Sequence, residues 1–169
     1  LARLRALPQG TAAEVAGSLR RWRPTIGDID LLVAAADPAP VMAAFTGLPE
    51  VVRVRAIGWR GQSDTKSSVE LANGLKVQLW AHPPERFGTA LQYATGSKEH
   101  NVRVRELALK RGLSLSEHAL TRANGSEWLC ATEEEVYRAA GLAFVPPELR
   151  EDRGEIQAAL EDRLPDLVE

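Results

Sequence analysis

The chain has 169 residues, 44% of them hydrophobic and 26% charged, with 21 Lys and Arg against 23 Asp and Glu. That balance fits a folded globular protein and excludes wholesale disorder or a coiled coil, and no apolar run approaches the roughly 20 residues of a membrane-spanning helix. The single cysteine, Cys130, excludes an intrachain disulfide and a cysteine-rich zinc site, so a reducing, cytoplasmic compartment is expected.

The formal net charge of -2 hides an asymmetry. Residues 148–169 hold eight acids and three bases, which leaves residues 1–147 with 18 bases and 15 acids. A mildly basic body permits a polyanionic partner without demanding one. The chain opens on Leu1 rather than Met, and a fragment of a longer protein is expected.

In chain order, residues 11–22 read as a helix, with Val15, Ala16 and Leu19 at helical spacing, although Gly17 also reads as a turn. Ile26 to Ala35 is a short apolar strand with two acids in it. Val41 to Phe45 is a turn or two of helix. Val51 to Ile57 alternates apolar residues with Arg53 and Arg55, a half-exposed strand, and Gly58 to Lys66 is a polar loop. Ser67–Ala72 and Leu75–Ala81 read as strands joined by Asn73-Gly74, the strongest short hairpin signal. After Pro83-Pro84 the pattern turns helical over 85–94 and 98–111, with Gly112 as the cap. Leu113 to Thr121 is extended, and Thr132 before Glu133-Glu134-Glu135 is a capped helix start. The expected organisation is a strand–helix lobe (1–84), a smaller lobe (85–147) and an acidic linker (148–169) with helix near 154–163.

The strongest chemical signal is Gly27-Asp28-Ile29-Asp30-Leu31. Alternate side chains of a strand share a face, so Asp28 and Asp30 point the same way, about 6.5 Å apart at Cα. Carboxylates converging at about 4 Å repel by ~4 kcal/mol at an effective dielectric of 20. A divalent cation such as Mg²⁺, completed by substrate phosphates, relieves that repulsion. Water on an edge strand relieves it equally well. Ten residues upstream, Gly17-Ser18 offers backbone N–H groups and a hydroxyl to phosphate oxygens, and Arg21 offers a planar fork.

Gly17-Ser18-Leu19-Arg20-Arg21 followed by Gly27-Asp28-Ile29-Asp30 resembles the nucleotidyltransferase superfamily, and within it the family X DNA polymerases of bacterial type. A second signature follows in order, Tyr93-Ala94-Thr95-Gly96-Ser97-Lys98-Glu99-His100-Asn101 and then Arg105, and Glu117 and Pro146-Pro147-Glu148-Leu149-Arg150 fit as well. The resemblance implies an α/β (α+β) fold: a palm with a mixed, largely antiparallel sheet and a small helical and hairpin subdomain. It implies template-directed transfer from a deoxynucleoside triphosphate (dNTP) to a primer 3′-hydroxyl on gapped or primer–template DNA in repair synthesis. Asp28 and Asp30 would bind two ions, Mg²⁺ or Mn²⁺. Gly17, Ser18, Arg21 and Gly27 would cradle the triphosphate. Tyr93 and Gly96 would line the sugar pocket, and Asn101 would face the incoming base. Arg105 would contact the template, Glu117 would position nearby groups, and Lys66 would meet the DNA backbone. A preceding helix-hairpin-helix module and a following phosphoesterase domain are implied for the full-length protein.

Three positions depart from the family pattern. Gln78 stands where the third catalytic acid is expected, and a neutral amide accepts no proton near pH 7. With a two-residue turn at Asn73-Gly74, Val69 pairs with Gln78 and Glu70 falls on the opposite face, unable to substitute. Trp80 stands where a basic residue is common, and Ala94 replaces an aromatic beside Tyr93, which enlarges the sugar pocket. Two other readings stay open: a nucleotidyltransferase that is not a polymerase, and a DNA- or nucleotide-binding module whose catalytic centre has decayed. His82, His100 and His118 are too far apart for a local metal motif. The tryptophans 22, 59, 80 and 128 read as core or rim, and Cys130 as an inert buried thiol.

Overall fold

The computed structural model describes residues 1–7, 12–57 and 66–166. Most of the expected 58–66 loop, with Trp59, therefore lies outside the described residues, as do Thr11 and the last three residues of the tail.

The first lobe is built on a five-stranded sheet. Its strands are β1 (Ala12–Ala16), β2 (Ile29–Ala34), β3 (Val51–Ile57), β4 (Lys66–Leu71) and β5 (Lys76–His82). They lie in the order β1-β2-β5-β4-β3, with only the β2–β5 pair parallel. The sheet is mixed and largely antiparallel, as expected. Period-2 alternation divides its faces. Leu31, Val33, Val77, Leu79 and Val69 face a core closed by α3 (Pro38–Thr46) through Val41, Met42 and Phe45. Asp37 caps α3 by accepting from the Ala39 amide at 3.1 Å. The other face carries Asp30, Leu32, Gln78 and Trp80, and there Leu32 meets Ala90 and Leu91 of α4 (Phe87–Thr95).

The expected helix over 11–22 is instead β1 followed by one helical turn, α2 (Gly17–Arg20). The five-residue ladder from Ala12↔Ala34 to Ala16↔Asp30 outweighs the helix propensity of an alanine-rich stretch. Gly17, at φ +61°, is the turn between the two.

The second lobe gathers α4, α5 (Lys98–Lys110), α6 (Glu133–Ala139) and α7 (Glu155–Leu160) around a small sheet of β6 (Leu113–Leu115), β7 (Leu120–Arg122) and β8 (Glu127–Trp128). Its core joins Val104, Leu120, Cys130, Val136, Tyr137, Val145 and Ile156. The Cys130 thiol is pushed up to about 11, by burial and then by Glu135. His100 is wholly buried between Glu155 (2.7 Å) and the Tyr137 hydroxyl (2.8 Å). Residues 148–160, which composition suggested as linker, pack into this core: Arg150 is fully buried, and Ile156 and Ala159 join the apolar cluster. The helix expected near 154–163 is there as α7, but it packs into the core rather than lying in a linker. Thr132 precedes α6 in an extended conformation but makes no capping hydrogen bond with its side chain.

Candidate active site

Asp28 lies just before β2 and is exposed, while Asp30, one residue into the strand, is half-buried. Burial raises the Asp30 carboxyl above its ordinary range, and the charge on Asp28 raises it further, against the opposing pull of Lys66 and Arg21. The two carboxylates therefore feel each other, although only Asp30 lies within the strand.

Gly17 makes room for this pair. A Cβ built on it would sit 2.2 Å from Asp30 Oδ2, so the α2 turn can lie against the acid only with glycine there. Parallel pairing sets Gln78 directly beside Asp30, and its Nε2 donates to Asp28 Oδ2 at 3.0 Å. Lys66 lies opposite Trp80, its ammonium 4.8 Å from the indole centroid.

The hairpin register differs from the expected one. Leu71 pairs with Leu75 across a three-residue loop in which Gly74 adopts φ +83° and the Asn73 side chain accepts from the Leu75 amide. Three loop residues, with glycine left-handed in the last, shift the ladder by one position. Ser68 then faces Gln78, and Glu70 falls on the same face as Gln78 rather than the opposite one. The Glu70 carboxylate is nevertheless turned to β3, where Arg55 approaches it at 3.5 Å.

A second cluster gathers Tyr93, Gly96, Lys98, Asn101 and Arg105 around a 360 Å³ pocket at the α4–α5 junction. Ser97 caps α5 by accepting from the His100 amide, and positions 98, 101 and 105 fall on one helix face. Asn101 is held in place: Nδ2 donates to the Tyr93 carbonyl (2.9 Å) and Oδ1 accepts from Gln92 (2.8 Å). Glu117 lines a different, 170 Å³ cavity with Trp80, His82, Ala90, Tyr93 and Ala94. The alanine at 94 thus borders open space behind the Tyr93 ring. His82, in the same wall, is lowered to about 4, chiefly by burial and then by His118 and Arg86.

Of the expected phosphate cradle, Gly17 and Arg21 are committed to contacts within the protein, Ser18 is half-buried and Gly27 is exposed. Arg21 donates from Nε to Glu151 (2.8 Å) and from Nη1 to the Thr95 carbonyl. Its neighbour Arg20 makes a bidentate pair with Glu133 (2.7 and 2.9 Å) and donates to Thr95 Oγ1. Arg150 reaches the same Glu133 at 2.6 Å. Burial works to raise Glu133, but the bond from Arg20 and the charge and bond of Arg150 outweigh it, and the carboxyl stays below its ordinary range. Glu133, which the sequence suggested only as a helix-dipole acid, is the buried centre of an ion-pair clamp between the lobes. Arg20 lies 113 positions away, and no local pattern announces such a pair.

The donor set at Asp28–Asp30 suits a hard divalent cation: two carboxylates whose mutual repulsion Lys66 and Arg21 only partly offset, while Gln78 turns its amide nitrogen rather than its oxygen to the pair. Among the described residues no group of three or more His, Cys, Asp or Glu is placed to hold a metal alone, so phosphate oxygens would have to complete the shell.

Residues 90–151 match the family described as the DNA polymerase beta thumb. The chain is 38% identical over 145 residues to the DNA polymerase/3'-5' exonuclease PolX of Bacillus subtilis (strain 168), covering 84% of this chain and 25% of that protein. It is 28% identical over 166 residues to DNA polymerase lambda of Rattus norvegicus, covering 84% of this chain and 29% of the relative. Together these matches support placing the chain among the family X DNA polymerases. It spans about a quarter of the length of these curated relatives. Among the described residues no helix is long and apolar enough to cross a membrane.

Proposed function

We propose that this chain carries the nucleotide-joining centre of a DNA polymerase that fills gaps in DNA. The observation that carries the reading is the acid pair Asp28–Asp30, whose repulsion its neighbours only partly offset, set against the glycine turn and on the sheet face that carries the second lobe. A primer 3′-oxygen forms a bond to the α-phosphorus of a dNTP, the bond to the β-phosphate oxygen breaks, and pyrophosphate leaves.

Asp28 and Asp30 would hold Mg²⁺ or Mn²⁺, two ions in the full centre, and the metal supplies charge neutralisation to the phosphoryl oxygens. Tyr93 and Gly96 border the sugar, Asn101 presents its edge to the incoming base, and Arg105 and Lys66 meet the DNA strands. Glu117 helps shape the wall behind Tyr93. Gln78 takes no proton, so the hydroxyl proton passes to water and the reaction forgoes a general base. Arg21 and Ser18 contribute to triphosphate binding only after Arg21 leaves Glu151, so substrate competes with the contact between lobes.

The division into a catalytic lobe (1–84) and a DNA- and nucleotide-contacting lobe (85–147), with the acidic segment (148–169) packing onto the second lobe through residues 148–160, belongs to this proposal. So do helix-hairpin-helix and phosphoesterase domains in the full-length protein, with a cytoplasmic, nucleoid setting.

A second reading rests on one contact. The Gln78 amide already donates to Asp28, as it would in a centre that has given up its metal and now only binds DNA. Primer extension on gapped DNA with Mg²⁺ or Mn²⁺ separates the two. Extension by the parent, lost in the D28N/D30N double variant, upholds the polymerase. A silent parent restored by Gln78→Asp identifies the decayed module. Silence in both, with DNA still bound, refutes catalysis by this chain.

A further inference from the structure

The far end of α5 holds a second cationic surface that the nucleotide-joining reading leaves unused. Arg111, Arg122, Arg138 and Trp128 line an open cleft of 440 Å³ with no acidic residue in its wall. None of the three arginines has an ion-pair partner among the described residues, whereas Arg20, Arg21, Arg86 and Arg150 are all paired.

The cleft is held open by its backbone. Gly141, at φ +80°, would place a Cβ 2.4 Å from Arg111 Nη1, so the guanidinium can lie across the end of α6 only because that residue is glycine. Arg111 and Arg138 offset the partial negative charge of the α5 and α6 C-termini, about half a charge each, and a cationic surplus remains. Trp128 exposes 37% of its surface, and the Arg122 guanidinium sits 5.5 Å from its ring centroid.

Unpaired arginines around an exposed indole make a surface for phosphates with a stacking platform for bases. A single strand can offer its phosphates to the arginines and an unpaired base to the indole, whereas a duplex keeps its bases stacked inside.

We propose that this cleft binds single-stranded DNA. The choice of DNA as ligand rests on the polymerase reading, but the binding itself needs neither primer, nucleotide nor metal. Anisotropy of a fluorescein-labelled 20-nucleotide oligo-dT, measured in EDTA with the full chain, therefore tests it apart from nucleotide joining. The R111A/R122A/R138A variant should bind at least tenfold more weakly. The slope of log affinity against log salt should flatten by about 0.7 for each phosphate the variant no longer neutralises. Trp128→Ala should cost about tenfold, and Trp128→Phe, which keeps a stacking face, should bind within about threefold of the parent. The single variants Arg122→Glu and Arg138→Glu, at exposed positions, cover the event that the triple variant fails to fold. Parent-like affinity and slope in these variants would overturn the proposal. So would a parent that ignores oligo-dT, or equal, arginine-dependent binding of a blunt 20-base-pair duplex.

Discussion

Two acidic clusters lie near the junction of the lobes, and they are built in opposite ways. At Glu133 one carboxylate is buried under two arginines and a threonine network, and its affinity for protons falls despite burial. At Asp28–Asp30 two carboxylates share a half-buried edge, and the proton affinity of Asp30 rises. The first cluster has met its charge requirement inside the protein and can only hold structure. The second has an outstanding requirement, which is what a site for a cation and a phosphate needs. Unmet charge, rather than the presence of charge, is what separates the proposed site from the structural clamp.

The sharpest way to break this contrast is to neutralise each cluster in turn. Asp30→Asn should lower nucleotide addition by about a thousandfold, the scale of losing charge stabilisation at a phosphoryl oxygen. It should leave the urea midpoint unchanged or raised, because it removes repulsion. Glu133→Ala should do the reverse to stability, costing about 3–5 kcal/mol by stranding two arginines, one of them fully buried. Equal destabilisation by both variants in urea titration would erase the distinction.

Acid should reveal the same asymmetry more gently. His82 is held neutral in the fold, with its pKa lowered from 6.5 to about 4. The unfolded chain therefore takes up a proton first, and stability declines as pH falls from about 6.5 to about 4, by at most ~1.4 kcal/mol per unit. His100, also lowered, adds to the decline, as do Glu133 and Glu155 as pH falls further. Asp30, shifted the other way, offsets part of it. Thermal melts across that window should show the fall, and His82→Gln should flatten its upper part.

The smallest effect concerns the cavity behind Tyr93. Ala94→Phe should fill space bordered by Ala90 and Trp80 and stiffen the sugar wall. Preference for deoxy- over ribonucleotides should then rise by about tenfold in a competition assay. An unchanged ratio would separate this cavity from sugar selection.

The sequence alone determined what depends on neighbours in the chain. The Asp-x-Asp strand, the Asn73-Gly74 turn, α3 to α5 and the Tyr93–Arg105 cluster all follow from alternation, helical spacing and turn chemistry acting over a few residues. The class of fold followed from the ordered motifs. Tertiary structure decided whatever turned on pairing at a distance. Ala12–Ala16 became a strand because β2 offered a ladder, and Glu70 changed face because a third loop residue moved the register by one. Glu133 became the clamp between lobes because Arg20 and Arg150 converge on it from far along the chain. Burial and charge balance depend on what packs against a residue, and a one-dimensional pattern leaves that partner unspecified.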